Sequence, residues 1–131
     1  MTVLPVTLST LAAAAILTIW LMARTGRVRA KSGVVHGDGG NPQLTRRMRA
    51  QLNFVESAPF ILLLIAAIEL SGRGGLWLSI VAGLYIVGRV CHALGMDGEE
   101  VTKLRGVGVA VTMLTLLGLA VYAALIAGGV V

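Results

Sequence analysis

Charge is the first thing this 131-residue chain lacks: only 13% of its residues are Asp, Glu, Lys or Arg. A water-soluble domain carries about a quarter, so a soluble globular protein is excluded. Acid is scarcer still, with six Asp and Glu against eleven Lys and Arg. The one cysteine, Cys91, excludes an internal disulfide and a cysteine metal cluster. It reads as a small buried apolar residue. Of the two histidines, His36 sits in a turn-rich loop, and no second imidazole or thiolate is spaced to share a metal with His92. No metal site and no cofactor are expected. The few aromatics do not interleave with the basic residues, which argues against a nucleic-acid surface. The glycine-rich stretch from His36 to Pro42 lacks the Gly-Lys-Ser/Thr ending of a phosphate loop. Its single Asp is too few for a calcium loop.

What the chain has is long apolar runs. Hydrophobic residues make up 56% of it, and mean hydropathy is +0.88. Thr2 to Ala23 and Gly106 to Val131 carry no charge, and Phe54 to Leu70 and Gly74 to Gly88 are strongly apolar. A helix needs about 20 apolar residues to cross a bilayer. The sequence therefore predicts an all-α, integral membrane four-helix bundle in one domain, 1–131. Its spans fall at 2–29, 43–71, 76–96 and 103–130. The first run lacks a basic leader and is longer than a signal-peptide core, so it reads as a retained helix.

Local signals refine this outline. Asn41-Pro42 should open the second helix, and Pro59 should bend it. Glu69, near that helix's end, is expected to snorkel to the interface. Trp20 and Trp77 suit opposite headgroup layers. Asp97, Glu99 and Glu100 should form the solvated start of helix four. Gly106 and Ala110 form a small-residue pair that permits close helix packing.

Seven of the eleven basic residues (Arg24, Arg27, Arg29, Lys31, Arg46, Arg47, Arg49) lie around the first connection. Basic connections stay cytoplasmic, so both termini are expected outside. For Arg24, Arg29, Lys31 and Arg47, topology and anchoring to anionic headgroups suffice as explanation. Arg46, Arg49, Asn53 and Glu56 fall on one helical stripe by their spacing of 3, 4 and 3. Arg89 and His92 share a face of helix three, and Arg105 stands at the mouth of helix four. The topology brings all of these to one depth, near the cytoplasmic face. Charged groups inside a membrane are costly and point to function. This set suits an anionic or zwitterionic ligand, since Arg donates paired hydrogen bonds to carboxylates. If the ligand carries a thiol, the same cations favour its thiolate.

Arg49-Ala-Gln-Leu-Asn-Phe-Val-Glu56, followed by Pro59, resembles the Arg-Ala-x-x-Asn-x-x-Glu signature of the MAPEG family, the membrane-associated proteins of eicosanoid and glutathione metabolism. The preceding Gly37-Asp-Gly-Gly-Asn-Pro-Gln-Leu is similar to its bacterial branch. The resemblance implies a homotrimer in the bacterial inner membrane that binds glutathione between subunits. It implies glutathione contacts at Arg27, Arg49, Asn53, Glu56, Arg89 and His92, and a thiolate-stabilising catalytic role for Arg105. Leu52, Met96 and Val109 depart from the family pattern, which favours a general transferase or peroxidase over a specialised synthase. Glutathione would be a co-substrate, and an apolar electrophile would arrive from the lipid. Two other readings stand beside this one: a small proton-coupled multidrug-type transporter using Glu56, and a non-catalytic ligand-binding membrane protein.

Overall fold

The computed structural model describes residues 3–131 as four helices, with no strand among them. They are α1 (Pro5–Ser32), α2 (Pro42–Leu70), α3 (Leu76–Gly95) and α4 (Lys103–Ala127). Each is long and apolar enough to cross a bilayer, and the protein is an integral membrane protein. The expected start of helix one at Thr2 lies outside the described residues.

Local chemistry sets the helix ends. Pro5 occupies the first turn of α1, where a missing N–H costs nothing. α1 runs three residues past the expected end and stops at Gly33, whose φ of 68° leaves the helical region. Asn41 caps α2: its side chain accepts from the Leu44 N–H at 3.1 Å, and Pro42 follows. α2 then continues unbroken through Pro59. Thr102 caps α4 by accepting from the Arg105 N–H at 3.2 Å. The acids Asp97, Glu99 and Glu100 precede that cap, and no acid stands in the first turn of α4. The expectation that they start helix four is corrected.

The helices pack mainly as two sequential pairs, and α2 meets α3 less than it meets α4. α3 lies against α4 and α1 against α2, while α1 and α4 do not touch. The core is aliphatic and aromatic: Leu17, Leu21, Phe54, Ile61, Ile65, Leu78 and Tyr85 are buried. The outer surface is apolar too, with Ile16, Ile19, Leu63, Leu114 and Leu117 exposed. Only 17% of the apolar window of α4 is buried within the protein. Such a surface needs lipid or another chain against it.

Glycine decides how closely α3 and α4 approach. A methyl on Gly108 would lie 2.5 Å from His92 Cβ and 2.6 Å from the Gly88 carbonyl oxygen. One on Gly95 would collide with the backbone N of Arg105 and lie 2.7 Å from its Cα. Gly106, by contrast, is exposed, with nothing near its missing Cβ. The close-packing glycine of α4 is thus Gly108, further round the helix from the expected Gly106–Ala110 pair.

Two acids tie the ends of the bundle. Glu69 accepts from the Val6 N–H (2.9 Å), the Thr7 N–H (2.8 Å) and the Thr7 hydroxyl (2.7 Å). It caps α1 from another helix instead of snorkelling, because unpaired N–H groups at a helix start attract a carboxylate. At the opposite end, Arg24 Nη2 donates to both carboxylate oxygens of Asp97, and Arg47 Nε lies 3.3 Å from the same group. Arg24 is buried and stacks over the Trp20 ring at 4.5 Å. Arg24 and Arg47 are therefore structural ion-pair partners as well as topology signals. Beside them, Arg29 Nη1 donates to the carbonyls of Val34, Val35 and Gly37, which holds the first connection closed. His36 is exposed in that connection, and Cys91 is half-buried where full burial was expected.

Candidate functional site

At the Asp97 end of the bundle, α2, α3 and α4 enclose a cavity of about 130 Å³. It is lined by Arg49, Leu52, Asn53, Glu56, His92, Met96 and Arg105. Five of the seven residues named from sequence as a site thus meet in one space. α2 supplies Arg49, Asn53 and Glu56 because steps of four and three keep them on one face, over about 10 Å of rise. α3 supplies His92 from its last turn. α4 supplies Arg105 from its first turn, seated where Gly95 lets its backbone come close.

Charge in the cavity is left open. Arg49, Glu56 and Arg105 enter no ion pair among the described residues. Arg49 and Glu56 are exposed at the bundle surface, while Asn53 and Arg105 are half-buried. Two cations and one carboxylate without ion-pair partners in a membrane bundle call for a ligand, water or a neighbouring protein surface. Leu52 and Met96 give the same space an apolar wall.

Arg89 stands behind the cavity. It is 2% exposed, and its Nη1 donates to Thr112 Oγ1 at 3.1 Å. Its Nη2 lies 3.4 Å from His92 Nδ1, and its guanidinium sits 5.9 Å from the Phe54 ring. Its Nε is buried with no partner among the described residues. Arg89 thus touches the site through His92 and does not line it.

Arg27 is the one proposed contact that the single chain does not bring near. It is exposed on α1 and borders neither the cavity nor the grooves beside it. The helix-one arginine close to the site is Arg29, which shares a groove of about 540 Å³ with Met48, Arg49, Gln51 and Leu52. A second groove of about 570 Å³ joins the cavity at Met96 and Arg105 and holds Arg46, Thr45 and Asp38. Another hollow, about 680 Å³ between α3 and α4, lies at the other end, lined by Trp77, Leu84, Leu114 and Tyr122 among others. It contains no Asp, Glu, Lys, Arg or His, so it offers no groups for charge recognition.

The family model described as MAPEG matches residues 7–125, which takes in nearly all of the four helices. The chain belongs to the MAPEG family. Comparison with curated proteins returns no match. Arg49, Asn53 and Glu56, whose spacing resembles the family signature, are the same three that α2 turns into the cavity. Leu52 and Met96 line it as well.

Sequence reasoning missed Gly95 and the Arg24–Asp97 pair. A signal for the first was present: Gly88 and Gly95 stand seven apart, hence on one face of α3. No comparable signal marked the second, since its partners are 73 residues apart.

Proposed function

We propose that the protein is a membrane-bound glutathione-dependent transferase or peroxidase acting on apolar electrophiles. The observation that carries this reading is the cavity where Arg49, Asn53, Glu56, His92 and Arg105 converge in a MAPEG chain. Glutathione offers two carboxylates, an ammonium group and a thiol. Arg49 and Asn53 suit a carboxylate and Glu56 an ammonium. Arg105 suits the sulfur.

The energetics favour a thiolate. A free thiol has a pKa of about 8.5 and is mostly protonated at neutral pH. A cation within a few ångströms lowers such a value by about one to three pH units. Each such unit is about 1.4 kcal/mol of differential stabilisation. The proton leaves to water. The sulfur lone pair then bonds to an electrophilic carbon as its leaving group departs with the bonding pair, or as a conjugated π bond takes up the electrons and a proton. With a peroxide it bonds to oxygen as the O–O bond breaks and alkoxide leaves, and a second glutathione reduces the resulting sulfenic acid to the disulfide and water.

A cavity of about 130 Å³ holds one functional group and not a tripeptide. The remainder of the ligand would lie in an adjoining groove. Because Arg49 and Glu56 also face outward, a neighbouring copy covering them is the natural wall, in keeping with a homotrimer. In this reading the cavity lies near the cytoplasmic face of a bacterial inner membrane, with both termini outside.

Calorimetry of glutathione binding to detergent-purified protein tests the reading. The wild type should bind saturably, and Arg49→Ala should weaken binding at least about tenfold, as loss of a charge-assisted contact does. A folded wild type that does not bind glutathione would overturn it.

A further inference from the structure

Arg89 is a buried guanidinium with no carboxylate beside it. It is 2% exposed, and its hydrogen-bonding neighbours are a threonine hydroxyl and an imidazole. Removing a charge from water without a counter-ion is costly, so a purely structural role would be better filled by an apolar residue. The geometry gives it another use.

A guanidinium has only donors. The ring nitrogen that faces Arg89 Nη2, His92 Nδ1 at 3.4 Å, must therefore accept. In a neutral imidazole the single proton then sits on Nε2. The imidazolium form would aim a second N–H at the guanidinium, with the Arg105 and Arg49 cations also around the cavity. Glu56 is the one acid there. Nε2 has no partner among the described residues and is not sealed off by them. Since His92 lines the cavity while being only 3% exposed, that open side is the cavity.

We propose that Arg89 locks His92 as its Nε2–H tautomer, and that this N–H donates a hydrogen bond to the thiolate sulfur held by Arg105. The inference rests on the glutathione reading and adds a second sulfur ligand to it. His92 is then a catalytic residue, and Arg89 is a positioning residue that acts through it. A hydrogen bond to the charged form of an acid lowers its pKa. The fixed tautomer means that the donor is present whether the thiol is ionised or not.

Two measurements on the full-length protein in detergent decide this. The first needs no glutathione. Nitrogen-15 spectra of ring-labelled histidine should show His92 with a bare Nδ1 and a protonated Nε2. There are two histidines, so His36→Gln assigns them. Arg89→Met should release the lock and give a mixture of tautomers. A protonated Nδ1 in the wild type, or an unchanged tautomer in folded Arg89→Met, overturns the lock.

The second is the pH titration of bound glutathione by thiolate absorbance. His92→Phe should raise the titration midpoint by about one pH unit, leaving about tenfold less thiolate at a fixed pH below it. His92→Gln, whose amide places an N–H near the Nε2 position, should restore most of it. A His92→Phe protein that binds glutathione and titrates like the wild type overturns the donor role while leaving the glutathione reading intact. Loss of affinity with an unchanged titration midpoint also overturns it, because the acceptor would then be a ligand carboxylate. No binding by the wild type removes the proposed function and the sulfur ligand together, and the tautomer spectra still decide the lock.

Discussion

The backbone of Arg105 lies directly on Gly95: a methyl group at position 95 would come within 2.7 Å of Arg105 Cα and 2.8 Å of Thr102 Oγ1. The last turn of α3 and the first turn of α4 are in contact because one of them has no side chain. Gly95→Ala should therefore displace Arg105 and its Thr102 cap together. Overpacking of this kind costs about 1–3 kcal/mol. The variant should melt lower in detergent and lose thiolate, whereas Gly106→Ala, which meets nothing within 4 Å, should do neither. Equal behaviour of the two variants would show that this contact does not set the position of Arg105.

Arg105 itself makes no ion pair and is half-buried, so the fold does not depend on its charge. Arg105→Ala should keep the helical circular dichroism and thermal stability of the wild type. Thiolate absorbance of bound glutathione at neutral pH should fall at least about tenfold, the loss expected for one cation near a thiol. Undiminished absorbance in this variant would assign the sulfur to another cation.

Asp97 neutralises Arg24, which is buried beneath Trp20. Removing one partner of a buried pair costs about 3–5 kcal/mol. Asp97 is about a third exposed (36%), and solvent screening lowers the figure to about 1–3 kcal/mol. Asp97→Ala should therefore melt earlier. Arg24→Met in the same chain should recover part of the loss, because the buried Arg24 charge is then gone and only the half-buried Arg47 is left without its partner. A double variant no better than Asp97→Ala would mean that the pair is not coupled.

Glu69 serves α1 as a cap borrowed from α2. Losing an N-cap costs about 0.5–2 kcal/mol. Glu69→Ala should raise amide hydrogen exchange at Val6 and Thr7 while leaving exchange in α4 unchanged. Thr7→Val, which removes only the hydroxyl contact at 2.7 Å, should have a smaller effect. Exchange at Val6 and Thr7 that stays at the wild-type rate in Glu69→Ala would show that the cap does not hold the helix start.

The sequence by itself determined what depends on local spacing and on the solvent. Four apolar runs separated by turn residues can only be spanning helices, because lipid leaves backbone groups no other partner. Asn41-Pro42 fixed the start of α2, whereas α1 ran past its expected end to Gly33. The steps from Arg49 to Asn53 to Glu56 fixed which of their faces is shared, and the convergence with His92 and Arg105 followed from alternating topology. Only the tertiary structure decided which distant groups meet. Arg24 looks like its basic neighbours in sequence, yet it pairs with Asp97 while Arg27 points outward. Glu69 looks like an interface acid, yet it caps another helix. Gly106 and Gly108 are equally small, yet only Gly108 meets α3. Rotation of each helix about its axis settles these cases. Packing against neighbours sets that rotation, and uniformly apolar spans carry too little amphipathic signal to announce it.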